Sequence, residues 1–260
     1  MNRITKNLHN RFKLVTFDVT DTLLEYRMDP GSQYAEAGSM FGVHCEPAQL
    51  SANVKKQMKT MSKLYPNFGR THNMPWQNWW RTVVFNSFKD CSNGSQIDEQ
   101  SLHNIADQLI TKYEDASVWK VADGSRNLLN CLQQNNICLG IISNFDTRLL
   151  NILKNMHLHH EFQFIITSYR VNCEKPDEKI FAKALEESRV PLIKPQDALH
   201  IGNTPLKDYV GARNAGWKAI LMTTERKLNA VLNTPNVNKN HVYTNFKKLQ
   251  EDLVQDKIKW

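Results

Sequence analysis

No stretch of this 260-residue sequence approaches the roughly 18 consecutive apolar residues that a membrane-spanning helix needs, so no membrane partner is expected. The five cysteines (Cys45, Cys91, Cys131, Cys138 and Cys173) include no CxxC pair. That excludes the common zinc spacings. An odd count without a secretion signal reads as reduced thiols, and a cytoplasmic protein is expected. The first thirteen residues, MNRITKNLHNRFK, contain no acid and no apolar h-region, which excludes a secretory signal. They read as a polar tail before the first strand, with a mitochondrial presequence as the alternative. No internal repeat and no low-complexity segment is present. Although the net charge is +7, there is no long basic run and no nucleic-acid motif, so no nucleic-acid partner is expected. The same charge suits phosphorylated small molecules.

What is present points to a folded α/β chain. Hydrophobic residues make up 41% and charged residues 23% of the sequence. KLVTFDV (13–19) reads as a buried strand. ICLGIIS (137–143), FQFIITS (ending at 168), ALHIG (198–202) and WKAILM (217–222) are short, apolar and rich in β-branched residues. Runs of that length read as strands buried on both faces. Between them, 123–135, 147–156, 177–188 and 205–215 read as helices, with Asp123 and Asp177 as N-caps and Gly216 as a stop. Strands alternating with helices predict a Rossmann-like, doubly wound parallel sheet. The block from 29 to 116 reads differently. Pro47 opens a helix over 47–64, YPNFG (65–69) breaks it, and Trp76, Trp79, Trp80 and Val83 share one face of the next helix. A block this long cannot be a loop, so it is expected to form a helical-bundle cap domain over 29–116. Residues 1–28 and 117–260 then form the core.

Ligands of open α/β sheets bind beyond the carboxyl ends of the strands. The first strand delivers Asp18 there and the second delivers Ser143 and Asn144. Lys175 of EKPDEKIF follows the third, and the fourth delivers Gly202 and Asn203 with Asp208 beyond. The histidines at 157, 159 and 160 sit at a helix end and are not expected to hold metal.

These motifs (FDVTDT, ISN, the lysine of EKPD, and GNTPLKD) occur in an order that resembles the haloacid dehalogenase superfamily of hydrolases, with a helical cap inserted after the first. The resemblance spans residue 13 to about 222. It implies a phosphatase in which Asp18 attacks phosphorus and forms an aspartyl phosphate. It implies Mg²⁺ held by the Asp18 carboxylate, the Thr20 carbonyl and the motif-four residues Asn203 and Asp208. Ser143 and Lys175 would stabilise the transferring phosphoryl group, and Asn144 and Thr22 would contact phosphate or substrate. The implied partner is a small phosphorylated metabolite, bound by a monomer or homodimer, with the cap excluding water.

Two departures from the family pattern bear on turnover. Family phosphatases usually carry a second acid where this chain has Thr20, whose hydroxyl pKa is far too high for general acid–base work. Its carbonyl remains available to metal, so attack at phosphorus can persist while turnover slows. Asp21 is no substitute, because successive side chains alternate sides. Asp there suits a positive φ in a tight turn. In motif four, neutral Asn203 stands where the family usually has Asp. The two changes remove two negative charges and imply weaker Mg²⁺ binding. Two alternatives follow. One is a catalytically impaired member acting as a phospho-ligand or protein-binding module. The other is a metal-independent hydrolase attacking carbon, for which Arg27 is the candidate arginine.

Overall fold

The computed structural model describes residues 8–91 and 97–260. The proximal part of the basic N-terminal tail, residues 1–7, lies outside them. The chain divides into two compact units. The first comprises Met1–Glu25, Val121–Asn144 and His157–Trp260, and the second Tyr26–Lys120 with Phe145–Met156.

The first unit is built on a six-stranded sheet. Its strands are β1 (Leu14–Phe17), β4 (Cys138–Ser143), β5 (Phe164–Thr167), β6 (Ala198–Gly202), β7 (Lys218–Met222) and β8 (Val242–Tyr243). They lie in the order β5-β4-β1-β6-β7-β8, and all neighbouring pairs are parallel. Strand order therefore reverses beside β1, which is where doubly wound sheets open a crevice for ligands. The predicted strands around 13–19, 137–143, 163–168, 198–202 and 217–222 are all present. Strand β8 lies beyond the expected ones, and β2 (Leu24–Tyr26) and β3 (Trp119–Val121) form a separate two-stranded sheet. All three are too short to show a pattern in sequence.

Strand alternation decides what covers each face. Leu14 and Thr16 on β1 share a parity and pair with Ala198 and His200 on β6. Leu14 and Ala198 join a buried cluster with Ile180, Phe181 and Ala184 of the helix Glu178–Ser188, and with Tyr209, Ala212 and Trp217. The helix behind β6 starts as a π-helical turn, Pro205–Val210, before Gly211–Asn214. Asp177 caps its helix as predicted, accepting from the Lys179 amide at 2.9 Å. Asp123 does not cap: the helix Ser125–Gln134 starts from Gly124, whose φ of 78° suits glycine. Gly216, also at φ 78°, follows the helix it was expected to stop.

The second unit is helical. It contains α1 (Pro30–Ser39), α2 (Pro47–Leu64), α3 (Trp76–Lys89) and α4 (Glu99–Lys112). Tyr34, Leu50, Phe88, Leu102 and Ile105 share one apolar cluster, and Met61, Trp79 and Val83 another. The segment Phe145–Met156, expected in the core, groups with this unit instead. Its own bonds show why. Asp146 accepts from Trp80 Nε1 at 2.8 Å, and Asn151 and Asn155 both bind Glu114. Among the described residues no helix is long and apolar enough to cross a membrane.

Candidate active site

Asp18 follows the last residue of β1, where its amide donates to Ile201 O at 2.9 Å and so ties it to β6. It shares parity with Thr16, on the face covered by the helix Glu178–Ser188. Lys175 precedes that helix and is buried, with its ammonium fully engaged. Nζ donates to Asp18 Oδ1 at 2.9 Å, to Ile142 O at 2.7 Å and to Asp208 Oδ1 at 2.5 Å. The backbone of Lys175 is pinned by Asn144, whose Oδ1 accepts from the Lys175 amide at 2.8 Å and whose Nδ2 donates to the Lys175 carbonyl at 2.9 Å. Asn144, expected to contact phosphate, therefore positions the lysine.

Asp208 closes the motif-four loop. Its Oδ2 accepts from the amides of Asn203 at 3.0 Å and Thr204 at 2.7 Å. Its Oδ1 takes Lys175 and His200. Gly202 is required beside it: a Cβ at that position would lie 2.3 Å from Asp208 Cγ. Ser143 ends β4 and is buried. Asn203 accepts from the Thr204 hydroxyl at 3.1 Å. Thr20 is half-buried in the turn after Asp18. Thr22 is buried and its hydroxyl is without a partner. The turn itself needs Asp21, at φ 56°, with its exposed carboxylate 3.6 Å from Lys227.

The two carboxylates that share Lys175 differ electrostatically. Burial pushes the Asp18 carboxyl above its usual range, and Lys175 only partly opposes this. Burial acts on Asp208 in the same direction, but Lys175 and His200 outweigh it and hold that carboxyl well below the ordinary value. Donor count explains the split, since Asp208 receives four donors and Asp18 one. Burial alone would lower the Lys175 pKa, yet the paired aspartates raise it. Burial lowers that of His200, which stays neutral.

Which residues suit a hard cation follows from their unused oxygens. A carboxylate offers about four lone-pair sites. Those of Asp208 are all taken by protein donors, so it does not fit a direct ligand. The described residues bring no donor to Asp18 Oδ2. The Thr20 carbonyl accepts no described backbone amide, because the bridge to Leu24 uses its neighbours. With Asn203 Oδ1, these oxygens fit Mg²⁺ held through one carboxylate, carbonyls and water. No cluster of three or more His, Cys, Asp or Glu side chains suited to a metal exists among the described residues.

Two site residues escaped the sequence argument. Thr16 and His200 carry the polar chain behind Asp208. The available signal was a Thr and a His inside otherwise apolar strands.

Known proteins resemble this chain over most of its length. The family description of haloacid dehalogenase-like hydrolases matches residues 12–216. The Drosophila melanogaster rhythmically expressed gene 2 protein is 37% identical, over 96% of this chain and 98% of its own. Human haloacid dehalogenase-like hydrolase domain-containing protein 3 is 34% identical, over 89% and 90%. The magnesium-bound hydrolase YfnB from Bacillus subtilis superposes with a TM-score of 0.67 at 19% identity, covering 94% of this chain and 99% of its own. Solved structures of the same fold include a phosphatase and an L-2-haloacid dehalogenase, so the fold alone does not choose between attack at phosphorus and at carbon.

Proposed function

The chain belongs to the haloacid dehalogenase-like hydrolases, and on that premise we propose that it is a Mg²⁺-dependent phosphomonoesterase acting on a small phosphorylated metabolite through an aspartyl phosphate on Asp18. The observation that carries this reading is the Asp18–Lys175 contact of 2.9 Å at the carboxyl ends of β1 and β4, with Ser143 at the end of β4. Lys175 occupies one of the roughly four lone-pair sites of the Asp18 carboxylate, which leaves sites both to attack phosphorus and to hold a cation. The new carboxyl O–P bond forms as the ester P–O bond breaks. The ammonium of Lys175 and the hydroxyl of Ser143 offset charge on the phosphoryl oxygens. The Asp18 carboxylate, the Thr20 carbonyl and Asn203 would hold Mg²⁺, which would supply positive charge to offset that of the phosphoryl group. The leaving alkoxide takes its proton from water, because Thr20 offers no acid. Water then attacks phosphorus, inorganic phosphate leaves, and the carboxylate is regenerated.

Assay of purified protein with Mg²⁺ on p-nitrophenyl phosphate and a panel of phosphorylated metabolites tests this. Release that depends on Mg²⁺ and vanishes in Asp18→Asn is expected. Equal release by wild type and Asp18→Asn would contradict it. One observation favours a second reading, a phospho-ligand or protein-binding module with little turnover. Thr20 is not an acid and Asp208 has no lone pair to spare, so the site carries little negative charge for a metal. Under that reading phosphate binds and no release exceeds the Asp18→Asn control.

A further inference from the structure

The α/β unit buries a polar chain that the proposed chemistry does not use directly. Thr16 and His200 are register partners on β1 and β6, and both are fully buried. The His200 ring stands edge-on to Phe181 at 5.5 Å, and Phe181 packs at 5.5 Å on Trp217. An imidazole in such surroundings loses its hydration, so both ring nitrogens need partners. Nδ1 lies 2.8 Å from Thr16 Oγ1 and Nε2 lies 3.2 Å from Asp208 Oδ1. An ionised carboxylate only accepts, so Nε2 carries the hydrogen. In a neutral ring Nδ1 then accepts from the Thr16 hydroxyl.

The chain continues into the site. The Asp208 oxygen that receives His200 also receives Lys175 Nζ, which in turn donates to Asp18. The other oxygen of Asp208 is fixed by the amides of Asn203 and Thr204. With Oδ2 held by the two amides, the His200 N–H occupies one lone pair of Oδ1 and leaves the other directed at Lys175 Nζ. Core filling would need only an apolar side chain at 200, with no polar cost. We infer that Thr16 and His200 are positioning residues, which fix Asp208 so that it aims the ammonium of Lys175 at Asp18. The kinetic consequence rests on the phosphatase reading; the geometric one does not.

The test uses the full chain with His200→Gln, His200→Asn, His200→Leu and Thr16→Val. Gln places an N–H near the position of Nε2, Asn places its amide near Nδ1, and Leu supplies neither. With p-nitrophenyl phosphate, kcat should fall about 10- to 100-fold in the Asn and Leu variants while KM stays within about 3-fold, as expected for a misaimed catalytic group. Gln should recover most of the loss. Independently of turnover, ¹H–¹⁵N spectra should show an Nε2–H imidazole for His200 and a protected ammonium for Lys175. That ammonium signal should shift and broaden with Asn and Leu and return with Gln. Thr16→Val, nearly isosteric, should move it in the same direction if the Leu variant does not fold. An ammonium signal unchanged in folded Leu, Asn or Val variants overturns the inference. So does a loss of kcat that Gln does not relieve. If wild type hydrolyses nothing, the phosphatase reading fails separately and the spectra still decide this one.

Discussion

Arg148 in the helical unit and Lys175 in the α/β unit are both buried cations paired with buried aspartates, and they differ in what they leave unused. Asp146 receives Arg148 N at 3.0 Å and Nε at 2.9 Å on one oxygen, and Arg148 Nη2 at 2.7 Å and Trp80 Nε1 at 2.8 Å on the other. The guanidinium also lies 4.7 Å from the Trp76 ring centroid and 5.2 Å from that of Trp80. Every lone-pair site of that carboxylate is filled. Lys175 binds one aspartate that is equally saturated, Asp208, and one that is not, Asp18. A filled buried pair can only hold structure. An unfilled one keeps an oxygen for a ligand, and that difference separates the site from its look-alike.

Mutation of each aspartate sharpens the contrast. Asp18→Asn should abolish Mg²⁺-dependent phosphate release, a loss above about a thousandfold of the kind seen when a nucleophile is removed. Its melting temperature should hold or rise, because a poorly compensated buried charge disappears. Thr20→Asp should raise turnover by about 10²- to 10⁴-fold, the usual worth of a general acid–base group, as read from steady-state kcat. Asp146→Ala should behave in the opposite way to Asp18→Asn. It leaves Arg148 buried without its partner and should cost about 3–5 kcal/mol in urea unfolding.

The smallest effect is a pH dependence. Burial depresses the pKa of His200 in the folded protein. The unfolded chain then binds more protons below about pH 6.5, so stability is full above that value and falls as pH drops through it. The slope is at most about 1.4 kcal/mol per pH unit for one group. His241, also lowered by burial, adds to it with the same sign. Urea midpoints between pH 7 and 5 check this, and His200→Gln should flatten the slope.

The parts legible in sequence were those set by local pattern. Strands such as ALHIG and WKAILM are apolar on both faces and bounded by turns. Pro47 opens its helix at the expected residue, and Asp21 takes the positive φ that its position called for. Asp18, Ser143 and Lys175 were visible because sheet topology carries strand ends to one edge. The illegible parts depend on convergence in space. Nothing local says that Asn144 spends its amide on the Lys175 backbone. Nor does GNTPLKD reveal that Asp208 is saturated by four donors, two of them the amides of Asn203 and Thr204 and one from His200, eight residues earlier. Phe145–Met156 reads as a core helix because its attachments to Trp80 and Glu114 lie 66 and 37 residues away in sequence.

The most direct test of the central claim is to trap the intermediate. Wild type with Mg²⁺ and p-nitrophenyl phosphate, quenched in acid and digested, should yield the peptide containing Asp18 heavier by one phosphoryl group. The adduct should be labile to hydroxylamine and absent from Asp18→Asn. Phosphate release with no adduct on that peptide, or release that survives Asp18→Asn, would contradict Asp18 as the nucleophile.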